Sequence, residues 1–500
     1  MFFVIVSLIL LASYFILNYC HRRSSIKTEN ILPGPKAFPL IGSAYYFLRR
    51  SSDEFLNVII KLINNYPSPF KFLMGNKLFI AIHDAKQIQE ILENNKIVEK
   101  NILYKFIEPV FGKGLLTAPE LTWNKNRKII APNFNTIALK KFFYVFVEQS
   151  LILTNQLEKI GLSRKKIILH NHIAKYALST ACGTMTDIKM EFLSNEINQC
   201  LEVIASLKKT FKSRFRNPFL YFDLIFNLTA VGREQRKAIN FLHSFINKII
   251  QQHTYALNEE DTNCTEYQQN TTHKTLLQIL LSHKYPQEMI HDNLITMILA
   301  GFDTTAVTID FAIFMLANFP SIQEKVYQEL WQIYETKTPK SAPIKYEDLQ
   351  HMDYLDCVIK ETMRLFPAVP LIGRYLTKDV KIGEFILPKG TEVFLAILTL
   401  HRNEKYWPNP LIFDPDRFLP EKGTSNKYYM PFSSGRRNCI AFAGMKYAMI
   451  SMKVILAILI RTFVFKVENI TQIDAIKLDM DITLHNIEPM EVIIKRRELH

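Results

Sequence analysis

Between Pro286 and Pro320 the chain runs for 33 residues without another proline. As one α-helix that stretch would be roughly 50 Å long, enough to cross a whole domain. Its apolar side chains (Ile290, Leu294, Ile295, Met297, Ile298, Leu299, Val307, Ile309, Phe311, Ile313, Phe314) fall nearly all round the helical wheel, so no face is left for water. Such a helix must be central and covered by other elements. The expected body is therefore large and mainly helical. A chain of 500 residues that is 48% apolar and 12% aromatic can supply the covering layers. Charged residues, 22% of the total, are spread throughout and argue against general disorder. Ala300-Gly301-Phe302-Asp303-Thr304-Thr305 interrupts the apolar run, and these are poor residues for a buried helix interior unless they serve a purpose there. A kink with hydroxyls bonded back to carbonyls and a functional groove fit this segment equally well.

The N-terminus carries a different constraint. The nineteen residues Phe2 to Cys20 have no charge, and as a helix they would span roughly 28 Å, close to a bilayer's hydrocarbon core. His21-Arg22-Arg23 and Lys27 follow at once, which by the positive-inside rule leaves the rest of the chain in the cytoplasm. A cleaved signal peptide would need a basic start, a shorter apolar run and a small-x-small cleavage site, and none is present. Residues 1–20 are thus expected to be a single retained transmembrane helix. Residues 21–35 would be a basic hinge closed by Leu32-Pro33-Gly34-Pro35, and residues 36–500 one large domain. Sequons at Asn227, Asn263, Asn270 and Asn469 would then lie in the cytosol, unmodified. Within the body, strand-like runs occur at 69–82 and 379–397, and the polar segment 257–274 reads as an exposed loop.

The formal net charge of +14 points to anionic partners: a membrane surface, an acidic protein or nucleic acid. Lys125, Arg127, Lys128, Lys140 and Lys141 cluster, but no zinc-finger, RNA-recognition or helix-turn-helix pattern accompanies them, so nucleic acid is not expected. The six cysteines (Cys20, Cys182, Cys200, Cys264, Cys357, Cys439) are far apart and form no CxxC pair, which argues against a disulfide framework or a structural zinc site.

Cys439 stands out by its neighbours. Gly435 permits a tight turn, Arg436 and Arg437 bring positive charge, and residues 440–459 read as a helix. The thiol would sit at a helix N-terminus, where the dipole and free N–H groups favour a thiolate. Such a thiolate suits a soft or borderline metal, and on haem iron it pushes electron density toward O–O cleavage. Local sequence alone leaves an inert buried cysteine open. Glu361-Thr362-Met363-Arg364 sets a carboxylate and a guanidinium on one helical face, and Arg417, in Phe413-Asp414-Pro415-Asp416-Arg417-Phe418, could join them as a second fork. Trp123 and Arg127 would present an indole N–H and a guanidinium to one anionic group. Each pattern by itself is common.

Taken as an ordered set they resemble the cytochromes P450. The set comprises the proline-rich hinge at 32–35, WxxxR at 123–127, AGxDTT at 300–305, ExxR at 361–364, the PxRF-like run at 415–418 and FxxGxRxC at 432–439. It covers nearly the whole chain. Asn217-Pro218-Phe219-Leu220-Tyr221-Phe222-Asp223 and the run from Gly232-Arg233 to His243 resemble the microsomal family 4 group in particular.

The resemblance implies a mainly α cytochrome P450 fold with small β-sheets, preceded by one transmembrane helix. It implies haem b as cofactor, with Cys439 as the axial ligand, Phe432 beside the porphyrin and Gly435 shaping the loop. Trp123, Arg127, Arg374 and Arg437 would pair with the propionates. Glu361, Arg364 and Arg417 would form a structural ion-pair triad. Thr304 and Asp303 would supply protons for dioxygen reduction, a task that a hydroxyl holding water and a carboxylate behind it suit well. Two departures stand out. Ala441 occupies the place of the glycine that usually follows Cys-x, and Ala300 replaces the glutamate that esterifies haem in many family 4 members, so the haem is expected to be held non-covalently apart from the sulfur–iron bond.

The implied activity is insertion of one oxygen atom from O2 into a hydrophobic substrate, of the fatty acid, terpenoid or xenobiotic class. No GxGxxG fingerprint is present, so electrons would come from an NADPH-dependent flavoprotein reductase docking on the basic residues near 125–141 with Arg436 and Lys446, and cytochrome b5 is an optional second donor. Membrane lipid is the remaining partner, at the endoplasmic reticulum with the catalytic domain facing the cytoplasm. The segments expected to line the pocket, near 101–116, 205–230, 298–305, 369–375 and 483–489, are rich in Phe, Ile and Leu. The competing readings are a haem-thiolate isomerase or dehydratase that needs no reductase, and a catalytically silent haem protein that binds lipophiles. The Asp303-Thr304 pair disfavours both.

Overall fold

A computed structural model describes residues 32–498 apart from 40, 49–53, 76, 163–164, 189–193, 264–273, 336–337, 339–341 and 423–426. The apolar run 2–20 and most of the hinge lie outside the described residues. Among the described residues one helix is long and apolar enough to cross a membrane, and it is buried inside the protein.

The helices that frame the site are, in chain order, α1 (Ile102–Phe111), α2 (Glu120–Ile130), α3 (Thr136–Ile160), α4 (His170–Thr186), α5 (Ser194–Arg216), α6 (Asp223–Leu228), α7 (Ala230–Asn263), α8 (Gln287–Asn318), α9 (Asp353–Leu365) and α10 (Ala441–Thr462). The central element is α8. It starts after Pro286 and ends where Pro320 opens the next helix, as the two prolines predict. It runs unbroken through residues 300–305, so the glycine and threonines line a groove without stopping the helix. Its most extensive packing is on α4, while α3 packs on α10 and α5 on α7. Buried Leu, Ile and Phe side chains from all these helices except α6 form one large core.

The strands are short and lie to one side. β1 (Phe70–Met74) and β2 (Lys77–Ile82) form a hairpin, and with β3 (Leu371–Tyr375) and β4 (Glu392–Ala396) they make a sheet of order β1-β2-β4-β3, in which only β2 and β4 run parallel. A second apolar cluster, including Ile80, Ile82, Val393 and Leu395, seals its other face. Near the C-terminus β5 (Leu478–Met480) and β6 (Leu484–Asn486) form a hairpin whose turn reaches the cavity described below. The strand-like runs at 69–82 and 379–397 are thereby accounted for. β3 and the C-terminal hairpin carry no such pattern, because three to five residues packed on helices show no clean alternation.

One expectation needs correction. The polar segment begun at 257 is not all loop, since α7 continues through Asn263. A long helix already paired with α5 can extend through polar residues whose own propensity is modest.

Candidate active site

A cavity of about 400 Å³ opens between α8 on one wall and the loop before α10 on the other. Cys439 stands in that loop. The backbone of Ser433 and Gly435 is left-handed, φ 64° and 71°, and Cys439 N–H donates to Phe432 O at 3.1 Å. The turn is packed so tightly that a Cβ on Gly435 would lie 1.8 Å from Leu92 O. Protein surrounds Cys439, yet its surface is open because the thiol faces the cavity. Burial pushes the thiol up, and the Ile440 N–H and the Arg127 guanidinium oppose that rise. Desolvation thus outweighs the helix-end effect expected from sequence. The glycine that lies against the sulfur is Gly444, where a Cβ would sit 3.3 Å from Sγ. It comes three residues after Ala441, the position at which the sequence reading looked for it.

Four cations line the wall beside Trp123. Arg127, on α2, donates to Asn438 O (2.9 Å) and Asn438 Oδ1 (2.7 Å), tying that helix to the cysteine loop. Arg437 stacks over the indole at 4.8 Å and donates to Ala118 O at 2.6 Å. Arg374, in the buried strand β3, donates to its neighbour Gly373 O at 3.0 Å. Lys100 is the fourth. Burial holds its ammonium well below the usual lysine range, and Arg374 and Arg437 push it the same way. Among the described residues the buried Nε atoms of Arg374 and Arg437 have no acceptor. Clustered, underemployed cations of this kind need an anion among them.

Across the cavity Thr304 donates to Ala300 O at 2.9 Å, one turn back, as a hydroxyl in a helix groove does. Asp303 is oriented elsewhere. Its carboxylate takes Lys208 Nζ at 2.5 Å and Thr483 Oγ1 at 2.8 Å, so it is tied to α5 and to the β5–β6 turn. Away from the cavity, Glu361 and Arg364 form a fully buried bidentate pair at 2.7 and 2.8 Å. Arg364 also donates to His401 O, Pro410 O and Ile412 O, which pins the segment leading to the cysteine loop. Arg417 Nε approaches Glu361 Oε1 at 3.5 Å and Asp414 Oδ2 at 3.9 Å, a looser contact than a second fork.

The family model for cytochrome P450 matches residues 32–493. The chain belongs to the cytochrome P450 family. It is 32% identical to cytochrome P450 4V2 of Mus musculus, over 91% of this chain and 88% of that protein. It is 30% identical to cytochrome P450 4c21 of Blattella germanica, over 93% of each chain. A match of 30% to cytochrome P450 4c3 of Drosophila melanogaster covers 94% and 89%. The chain is therefore a P450 monooxygenase of the haem-thiolate kind, similar to family 4 members.

The cofactor of a P450 is haem b, bound through a cysteine thiolate. The residues present fit it: one exposed thiol among the described cysteines, an apolar cavity between that sulfur and α8, and a ring of cations with spare donors for carboxylates. Trp123, Arg127, Arg374, Arg437, Phe432 and Cys439 all line this one cavity, as do Asp303 and Thr304, whereas Glu361, Arg364 and Arg417 lie outside it. Sequence reasoning missed Lys100, Lys208, Asp481, Thr483 and Gly444. Lys208 and Thr483 fall in segments expected to line the pocket, but nothing local marks them as partners of Asp303. Lys100 belongs to no pattern and is identified only by what surrounds it.

Proposed function

We propose that this P450 is a membrane-anchored monooxygenase of hydrophobic molecules that takes its electrons from an NADPH-dependent flavoprotein reductase. The observation that carries the reading is the single cavity with the Cys439 sulfur on one wall, Gly301 and Thr304 on the other and four cations at one edge. Haem bound there would couple dioxygen reduction to transfer of one oxygen atom into the substrate, the second atom leaving as water.

The chain's own residues then have distinct tasks. Cys439 would supply the sulfur that holds the iron. Gly435 and Gly444 let the backbone come close enough to hold it. Arg127, Arg374, Arg437 and Lys100 would neutralise the two propionates, Trp123 would offer them its indole N–H, and Phe432 would flank the ring. Thr304 would hold a water in the α8 groove and pass its proton to the reacting site. Asp303 would replenish that proton, after releasing Lys208 or Thr483. The Glu361–Arg364 pair, with Arg417 nearby, keeps the cysteine loop in place and does no chemistry. Ala300 offers no carboxyl for an ester, so acid–acetone should extract the haem completely.

Residues 1–20 would anchor the protein in the endoplasmic reticulum membrane, residues 21–35 would be the hinge and residues 36–500 the cytoplasmic catalytic domain. Phe219, Leu224, Ile225 and Leu228, exposed by 42 to 78% at and beside α6, support contact with lipid. Lys125 and Lys128 are exposed on α2, while Lys140 and Lys141 are engaged with Glu347 and Asp187. Reductase docking, with cytochrome b5 as an alternative donor, is therefore assigned chiefly to the first two. The apolar cavity lining supports fatty acid, terpenoid or xenobiotic substrates.

The test is the reduced spectrum under carbon monoxide, joined to a substrate-panel assay with reductase. The shifted haem-thiolate band should appear and vanish in Cys439→Ala, and product should require NADPH. Product formed without reductant would favour isomerase chemistry, and binding without product under every condition would favour a silent lipophile carrier.

A further inference from the structure

Seven charged residues line the cavity, in two groups. Four are the cations beside Trp123. The other three, Lys208 of α5, Asp303 of α8 and Asp481 of the β5–β6 turn, meet on the distal wall. Lys208 Nζ is 2.5 Å from Asp303 Oδ1, 4.0 Å from Asp481 Oδ1 and 3.0 Å from Thr483 Oγ1. These three charged side chains remain 13 to 19% exposed, so they help form the wall. One ammonium faces two carboxylates, which leaves the wall one negative charge in excess. The neighbouring Lys212–Asp479 pair is self-neutral and does not line the cavity. His485 lies 3.6 Å from Asp481 Oδ2, and His170 is paired with Asp310 at 3.0 Å; neither lines the cavity. The four cations lie beside Trp123, where the propionates would engage them, so a molecule held against the distal wall meets that wall's one excess charge at short range and with little screening.

We propose that this wall makes the reaction cavity selective for charge. Uncharged and cationic lipophiles enter, and compact molecules whose carboxylate must lie inside are turned away. Lys208 sets the balance, because it is the distal cation that offsets the two acids. The proposal rests on the haem-thiolate reading of the same cavity and narrows its substrate class.

Rigid cages of nearly equal size provide the test, since they have no tail to enter first. Equilibrium dialysis of the holoprotein at pH 8, above the range where imidazole titrates, would compare 1-adamantanemethanol, 1-adamantaneacetate and adamantyltrimethylammonium. The quaternary nitrogen has no lone pair and cannot ligate iron. The acetate should bind about tenfold more weakly than the alcohol, and the ammonium at least as well as the alcohol. Lys208→Met should widen the gap between ammonium and acetate by about tenfold again, and Asp481→Asn should narrow it. If Lys208→Met does not fold, the isosteric Asp481→Asn decides alone. Acetate binding as tightly as the alcohol in the native protein, or a gap that the folded variants leave unchanged, would overturn the proposal. The carbon monoxide spectrum reports the underlying reading separately: a normal band with acetate preferred sinks only the charge selection.

Discussion

Gly435 and Leu92 meet at a distance that only a glycine allows: a Cβ on Gly435 would come within 1.8 Å of the Leu92 carbonyl oxygen. The loop that presents Cys439 is therefore held against the end of an unrelated helix, and φ of 71° at Gly435 excludes most side chains independently. Gly435→Ala should lose at least about 2 kcal/mol of stability from strain and displaced backbone. Haem content per protein and the thermal midpoint check this, and a variant with full haem content and an unchanged midpoint would show that the loop can yield.

Breaking the pair of Glu361 and Arg364 should be worse than most core substitutions. Both side chains are fully buried, and Arg364→Ala would leave the carboxylate without its partner and three backbone carbonyls without a donor. A loss of about 3–5 kcal/mol is expected, read by denaturant unfolding of the holoprotein. The milder Glu361→Gln should retain part of the stability, because its amide oxygen still accepts from Arg364.

Lys100 should act with opposite signs on the empty and the loaded protein. Its ammonium is penalised first by burial and then by Arg374 and Arg437 when no anion is present, and it adds a counter-ion when the propionates are. Lys100→Met should raise the thermal midpoint of the apoprotein while haem dissociates about tenfold faster. Stopped-flow transfer of haem to an acceptor protein measures the second effect.

Thr304→Ala should separate electron consumption from product. Without the hydroxyl in the α8 groove, protons arrive less well placed, so reductant use should continue while product per NADPH falls by about tenfold. The measured quantity is the ratio of product to NADPH oxidised, with peroxide as the balancing product. An unchanged ratio would remove Thr304 from the proton path.

Stability should fall on mild acidification because of His401. Burial first, and then Arg364, lower its pKa from 6.5 to about 3, and its Nε2 accepts from Met430 N–H at 2.9 Å. Between those values the unfolded chain binds a proton that the folded chain refuses. The contribution is thus complete above about pH 6.5 and is lost as pH falls toward 3. This one group should contribute a slope of up to about 1.4 kcal/mol per pH unit. Thermal midpoints from pH 7 to 4 should show a shallower decline in His401→Gln than in the native protein.

The family, the central helix and the cysteine proposed as the iron ligand were all legible in the sequence. Each is written in local, ordered patterns: two prolines 34 positions apart with apolar residues between, and six short motifs in one order. A helix with apolar residues on every side has only one place to go, and that is the middle. The tertiary structure alone decided which partners those residues meet. Lys100 joins Arg374 and Arg437 because strand β3 and the segment before α1 converge there. Asp303 faces Lys208 because the fold brings a long side chain of α5 to the cavity face of α8. Gly444, three residues beyond Ala441, lies against the sulfur because of how α10 leaves the loop. Charge pairing here depends on distances between segments 95 residues or more apart, and periodicity along one segment carries no information about them.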